Sequence, residues 1–290
     1  MNRRGRPART PTMTFDLAAY QRSVTPVRTD DLDMAVFRVR PLSPATLRCL
    51  RYMHDVESHT VCYLRDLLVT SSHADPRITT FLTLWNYEEH FHGEAIAQVL
   101  AAHDEASGFD RIAPMRAALG WKDRVGPFTS ALGSALIGED FTALHMTWGA
   151  VNEWSTQTGY ERLAAREGHP VLTTLLGRIV RQESRHIAFY ATEARERLAR
   201  SRKAQRVTRW ALRHRWAPVG SGVMPDAEVH FLLDHLMGGE DGRRAAARID
   251  RNVHRLAGLD GLDIVVGALD GLGIPAADPA CTRRRDALAA

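Results

Sequence analysis

The chain is short of cysteine, of aromatic residues and of long apolar runs, and these shortages remove classes of protein. Three cysteines in 290 residues (Cys49, Cys62 and Cys281) form neither an even disulfide framework nor a metal-type spacing. They read as reduced thiols of a cytoplasmic protein. No stretch approaches ~18 uninterrupted apolar residues, so no membrane-spanning helix is expected. The basic start MNRRGRPARTPT leads to Asp16 and polar residues rather than to an apolar core. Neither a secretory signal nor a twin-arginine signal at Arg3-Arg4 is therefore expected. Strand signals are scarce, and no repeat of solenoid length occurs. What is present is ordinary: 44% hydrophobic and 25% charged residues, enough for one large domain or a domain with an appendage. A net charge of +4 allows an acidic partner without demanding nucleic acid.

Periodicity points to an all-α protein. Residues 1–42 are rich in Arg, Pro and Thr and read as an N-terminal arm, partly disordered. Ser43-Pro44 is a cap followed by a first-turn proline, and a helical pattern then runs to about Val69. Leu50, Met53, Glu57, Val61, Leu64 and Leu68 fall on its stripe at steps of three and four. Asp75-Pro76 starts a second helix, to about His103. Residues 104–127, with several glycines and prolines, read as a connection holding at most a short helix. A third helix is expected from Phe128 to Arg166, bent near Gly133 or Gly138, and a fourth from Pro170 to Arg200. Residues 201–275 form a helical extension that begins with a basic amphipathic segment, and 276–290 a polar tail. Two helix pairs joined by a long crossover suggest a four-helix bundle of the ferritin-like kind with extra C-terminal helices.

Two short motifs give that bundle its chemistry. Glu89-His90-Phe91-His92 lies on the second helix and Glu183-Ser184-Arg185-His186 on the fourth, each Glu-x-x-His. Positions i and i+3 share a helix face, so each motif points a carboxylate and an imidazole the same way. With 13 histidines in the chain, about 0.6 such spacings would arise by chance, so the spacing alone means little. Position adds the weight. Each motif sits mid-helix on the inward stripe, and the first and third helices each place one Glu there, Glu57 and Glu153. Their apolar neighbours Met53, Val61, Met146 and Trp148 are expected to be buried. A Glu from each of two helices and Glu-x-x-His from the other two is the donor set of dinuclear iron or manganese carboxylate bundles. Four carboxylates cancel the charge of two divalent ions, and neutral imidazoles add none, so such a centre tolerates an apolar core. Oxygen-rich ligation with imidazole suits iron or manganese.

These blocks resemble soluble acyl-acyl-carrier-protein desaturases. Trp85-x-x-Glu88-Glu89-x-x-His92-Gly93-Glu94 is similar to the family's first metal motif, and Gln182-Glu183-Ser184-Arg185-His186-x-x-x-Tyr190 to its second. Glu153-x-x-Thr156 resembles the third-helix motif. The resemblance covers about residues 45–200. It implies metal ligands at Glu57, Glu89, His92, Glu153, Glu183 and His186, two iron ions (a mixed manganese/iron pair being the variant), and Thr156 facing the dioxygen pocket as a proton-delivering catalytic residue. It also implies a ferredoxin-type electron donor and a homodimer. Gln182 stands where the family usually has Asp, and still offers an acceptor to the opposite histidine. Phe91 stands where Arg is frequent.

The basic band from Arg195 to Arg215 includes Arg206, Arg209 and Arg213, interleaved with Trp210. It suits an acidic acyl carrier protein. The expected activity is therefore dioxygen-dependent desaturation of a carrier-bound acyl chain. The alternative is hydroxylation or N-oxygenation in specialised metabolism, although the extra His ligand of diiron arylamine oxygenases is replaced here by Ile179. Iron storage fits poorly with the arm and the C-terminal extension. A ribonucleotide reductase small subunit would carry its radical tyrosine where Ile96 stands.

Overall fold

The computed structural model describes residues 14–276, apart from the side chain of Lys122. Eleven α-helices and two short 3-10 turns form among the described residues, and no β-strand. The chain enters through α1 (Leu17–Ser23) and α2 (Val36–Val39). The long helices α3 (Pro44–Leu68) and α4 (Pro76–Ala101) follow, separated by the turn Ser71–Ala74. Both begin as their sequences dictate. Ser43 accepts from Thr46 N, Asp75 accepts from Arg77 N and Ile78 N, and a proline occupies the first turn of each.

Next come α5 (Phe109–Ile137), α6 (Phe141–Glu167) and α7 (Pro170–Arg200). Here the structure departs from expectation. The third long helix starts at Phe141 rather than Phe128, and most of the anticipated connection belongs to α5. Gly120 and Gly138, at φ +60° and +76°, are where the chain breaks. Gly126 stays helical for a packing reason. A Cβ there would lie 2.4 Å from Asp66 Oδ2, so its absence lets α5 lie close on α3. α8 (Arg202–Arg215), α9 (Asp226–Met237), α10 (Gly239–His254) and α11 (Ile264–Gly271) complete the fold.

α3 packs on α4 and α6 on α7, while α4 touches α7 and α3 touches α6, so the four long helices close a ring. The C-terminal extension is built onto that ring, with α8, α9 and α10 all resting on α6. The segment expected to be an arm is also part of the core from residue 14 onward. Tyr20, Val27 and Phe37 are buried, and Phe15 meets Phe189 edge to face at 5.3 Å. The rest of the predicted arm and the tail beyond residue 276 lie outside the described residues, as does Cys281. The α3 stripe holds for Leu50, Met53 and Glu57 but not for Val61 and Leu68, each 45% exposed. No helix of the described residues is long and apolar enough to cross a membrane.

Candidate metal centre

The six expected ligands converge. Glu57 of α3, Glu89 and His92 of α4, Glu153 of α6, and Glu183 and His186 of α7 are all buried at the middle of the ring. Their donor atoms fall into two groups of four, Glu57-Glu89-His92-Glu183 and Glu89-Glu153-Glu183-His186, each with all donors within 4.8 Å of one another. Glu89 and Glu183 belong to both groups. Two bridging carboxylates flanked by one terminal carboxylate and one imidazole on each side is the donor geometry of a paired-ion centre. The fit is supported by polar atoms that the protein leaves without partners. His92 Nδ1 and Glu183 Oε1 are buried 3.3 Å apart, yet neither has a hydrogen bond. Such atoms are costly in a core unless a ligand satisfies them.

The outer partners orient the donors. Gln182 donates through Nε2 to the Thr25 carbonyl at 3.0 Å, which turns its Oε1 toward His92 Nε2 at 2.9 Å. That nitrogen therefore donates, and Nδ1 faces the carboxylates. His186 is held the same way, with Nε2 donating to Glu88 at 3.0 Å and Nδ1 lying 3.0 Å from both Glu89 and Glu183. Glu88 is itself fully buried and accepts from Tyr20 Oη at 2.8 Å and Arg185 Nη2 at 2.5 Å. The terminal carboxylates each receive an aromatic donor: Tyr160 Oη donates to Glu57, and Trp85 Nε1 to Glu153 at 2.9 Å.

Tyr20 and Tyr160 carry no motif signal, and the first motif includes Glu88 without assigning it a role. Trp85 is buried, as a core residue should be, and supplies a hydrogen bond as well. His54, one turn before Glu57, stays out of the cluster. Its ring meets Asp55 and accepts from Gly108 N, tying α3 to the start of α5.

The protonation pattern explains how this charge is tolerated without ions. Burial, then the neighbouring charge of Glu89, pushes Glu57 well above the ordinary carboxyl range. Burial and Glu183 do the same to Glu153. Burial opposes charge on His92, but the neighbouring carboxylates of Glu183 and Glu89 overcome it and push its pKa up to about 10. His186 is likewise raised against burial, by Tyr20 and then by hydrogen bonds to Glu153, Glu183 and Glu88. Glu89, despite burial, is drawn well below the carboxyl range by Glu57 and both histidines. Glu183 is lowered by the two histidines against burial and Glu89. In the metal-free cluster, burial and mutual repulsion thus favour protons on Glu57 and Glu153, while Glu89 and Glu183 lean on the two histidines.

A cavity of about 320 Å³ opens against Glu57, Glu89 and Glu153, walled by Tyr63, Trp85, Trp148 and Tyr190. Arg215, at the end of α8, lines it together with residues 217–221. A narrow apolar slot of about 70 Å³ adjoins it, between α3, α6, α9 and α11, lined by Met53, Gly159, Leu233, Leu236 and Leu269. Glu57 and Thr156 border both spaces. Thr147, Ser155 and Thr158 on the same helix each donate to the carbonyl four residues back. No such bond forms at Thr156 among the described residues. Gly149 lines the cavity because a Cβ there would strike the Tyr190 ring at 2.3 Å.

No protein-family model matches the chain, and no curated protein matches it.

Proposed function

We propose that the chain is a dioxygen-dependent non-haem diiron oxidoreductase that desaturates an acyl chain presented as a thioester on an acidic carrier protein. The observation that carries this reading is the pair of buried donor groups sharing Glu89 and Glu183 beside a largely apolar cavity. Two ferrous ions held there would supply electrons to dioxygen and let it take hydrogen from an unactivated C–H bond. Overall, dioxygen takes two electrons with two hydrogens from the substrate and two electrons with two protons from an external donor of the ferredoxin type, giving an alkene and two waters.

The protein's own groups do the rest. Gln182 and Glu88 fix the imidazoles, while Tyr160 and Trp85 hold the terminal carboxylates. Tyr63, Trp85 and Trp148 keep water from the reacting face. The Thr156 hydroxyl, free of the preceding turn, moves a proton at its Oγ1. The apolar slot receives the aliphatic part of the substrate.

Helix α8 supports the carrier reading. Arg206 and Arg213 are exposed, and the same helix ends at Arg215 on the cavity, about 14 Å beyond Arg206 at helical rise. Arg209 is engaged, donating to the carbonyls of Gly258 and Asp260, so docking rests on its neighbours. Phe128, Leu132 and Leu136 form an exposed stripe on α5 that supports a homodimer.

The test is anaerobic iron loading, then dioxygen with candidate acyl-carrier substrates and product mass. Loss of two hydrogens supports desaturation. Gain of one oxygen atom transfers the site to a hydroxylase or N-oxygenase, and no substrate oxidation with any acyl carrier contradicts the reading.

A further inference from the structure

A second set of metal-type donors lies outside the six-residue centre, and one of its members, His59, lines the cavity. His59 and Cys62 are one turn apart on α3, and Asp123 of α5 faces them; one donor atom from each lies within 4.8 Å of the other two. His59 is 91% buried and its Nδ1 has no hydrogen-bond partner. A buried imidazole nitrogen left unpaired, on a side chain grouped with a thiol and a carboxylate, is a cost unless something binds there. Cys62 and Asp123 are half-buried, so solvent reaches the group.

Asp123 is not placed by chance. Arg65 forks onto it, with Nη1 to Oδ2 at 3.0 Å and Nη2 to Oδ1 at 3.1 Å. The same guanidinium also pairs with Asp66 through Nε at 2.9 Å. Arg65 and Asp66 cancel, which leaves Asp123 and a Cys62 thiolate to balance a doubly charged ion. Arg116, another nearby cation, is turned to the Ser58 carbonyl at 2.6 Å.

We propose that His59, Cys62 and Asp123 bind one borderline divalent cation of the zinc class, with water completing a tetrahedral shell. Sulfur, imidazole and a single carboxylate select such an ion over magnesium or calcium, which take oxygen, and its geometry matches three protein donors and one open position. The ion staples α5 to α3. Because His59 also lines the cavity beside Thr60 and Tyr63, the staple holds the cavity wall in place. This site shares no residue with the paired-ion centre and stands whatever reaction that centre performs.

Titration of the full chain with Co2+ tests it, since the paired-ion centre contains no sulfur. The expected result is a sulfur-to-cobalt charge-transfer band that saturates with the intensity of a single cobalt-thiolate bond and is displaced by Zn2+. Cys62→Ser abolishes the band and Asp123→Asn weakens it, with the far-ultraviolet circular dichroism unchanged. Absence of the band in the unaltered chain, or its persistence in Cys62→Ser, overturns the proposal. If a variant fails to fold, alkylation of the unaltered chain decides, read by peptide mass. Zn2+ should protect Cys62 specifically, and equal alkylation with and without Zn2+ overturns the site.

Discussion

Gln182 Oε1 lies 2.9 Å from Nε2 of His92, and this neutral contact makes the two halves of the centre unequal. The matching nitrogen of His186 meets a carboxylate, Glu88, at 3.0 Å. A carboxylate behind an imidazole raises its basicity as a ligand. An ion bound beside His186 would therefore have the stronger donor. In the diferrous protein enriched in iron-57, Mössbauer spectra should resolve two quadrupole doublets. Gln182→Glu should bring them closer together. A spectrum unchanged by that substitution would contradict the assigned asymmetry.

Metal loading should release protons. Burial and neighbouring carboxylates raise the pKa values of Glu57 and Glu153, and nearby acidic groups raise those of His92 and His186, so all four hold protons more tightly than free side chains do. Two divalent ions must displace those protons, because a ligand carboxyl or imidazole nitrogen binds without its proton. The sign follows: raising pH removes the competitor and strengthens binding. Indicator-dye measurements in weak buffer should find protons released as the ions bind. Affinity independent of pH between about 6 and 8 would speak against the protonation pattern.

Tyr160→Phe removes the one hydroxyl that donates to Glu57 among the described residues and leaves a buried carboxyl atom short of a partner. Chemical denaturation of the metal-free chain should show a loss of about 1–3 kcal/mol. A change within experimental error would mean that Glu57 finds another donor.

Much of this centre was legible because helices announce their ends. Ser43-Pro44, Asp75-Pro76 and Pro170 mark α3, α4 and α7 to within a residue or two, which puts Glu57, Glu89 and Glu183 at mid-helix and inward. Other parts were hidden for physical reasons. α5 carries glycine and proline that read as loop, yet Gly126 serves close packing against Asp66 and only Gly120 breaks the helix. The N-terminal segment has no periodic stripe, because it enters the core through isolated anchors such as Tyr20 and Phe37. The partnership of Tyr20 with Glu88 joins residues 68 apart in sequence, and no local pattern records it. Val61 fits the α3 stripe but sits 45% exposed, since periodicity gives a direction and not the neighbour that covers it.

The apolar slot can be narrowed without damage to the fold. A Cβ on Gly159 would rest 3.6 Å from Met53 Cε and 3.8 Å from Leu236 Cδ1, ordinary contact distances. Gly159→Ala should keep or raise stability, by up to about 1 kcal/mol for a helical glycine. It should also shift preference toward shorter acyl chains in competition assays. Unchanged chain-length selectivity would remove the slot from the substrate path.

The central claim is that Glu57, Glu89, His92, Glu153, Glu183 and His186 hold two ions in one centre. Anomalous diffraction at the iron edge from crystals loaded anaerobically with Fe2+ tests it most directly. Two peaks about 3.5–4 Å apart are expected, both between Glu89 and Glu183, one beside His92 and the other beside His186. A single peak, or iron bound elsewhere with these six side chains unligated, would contradict it.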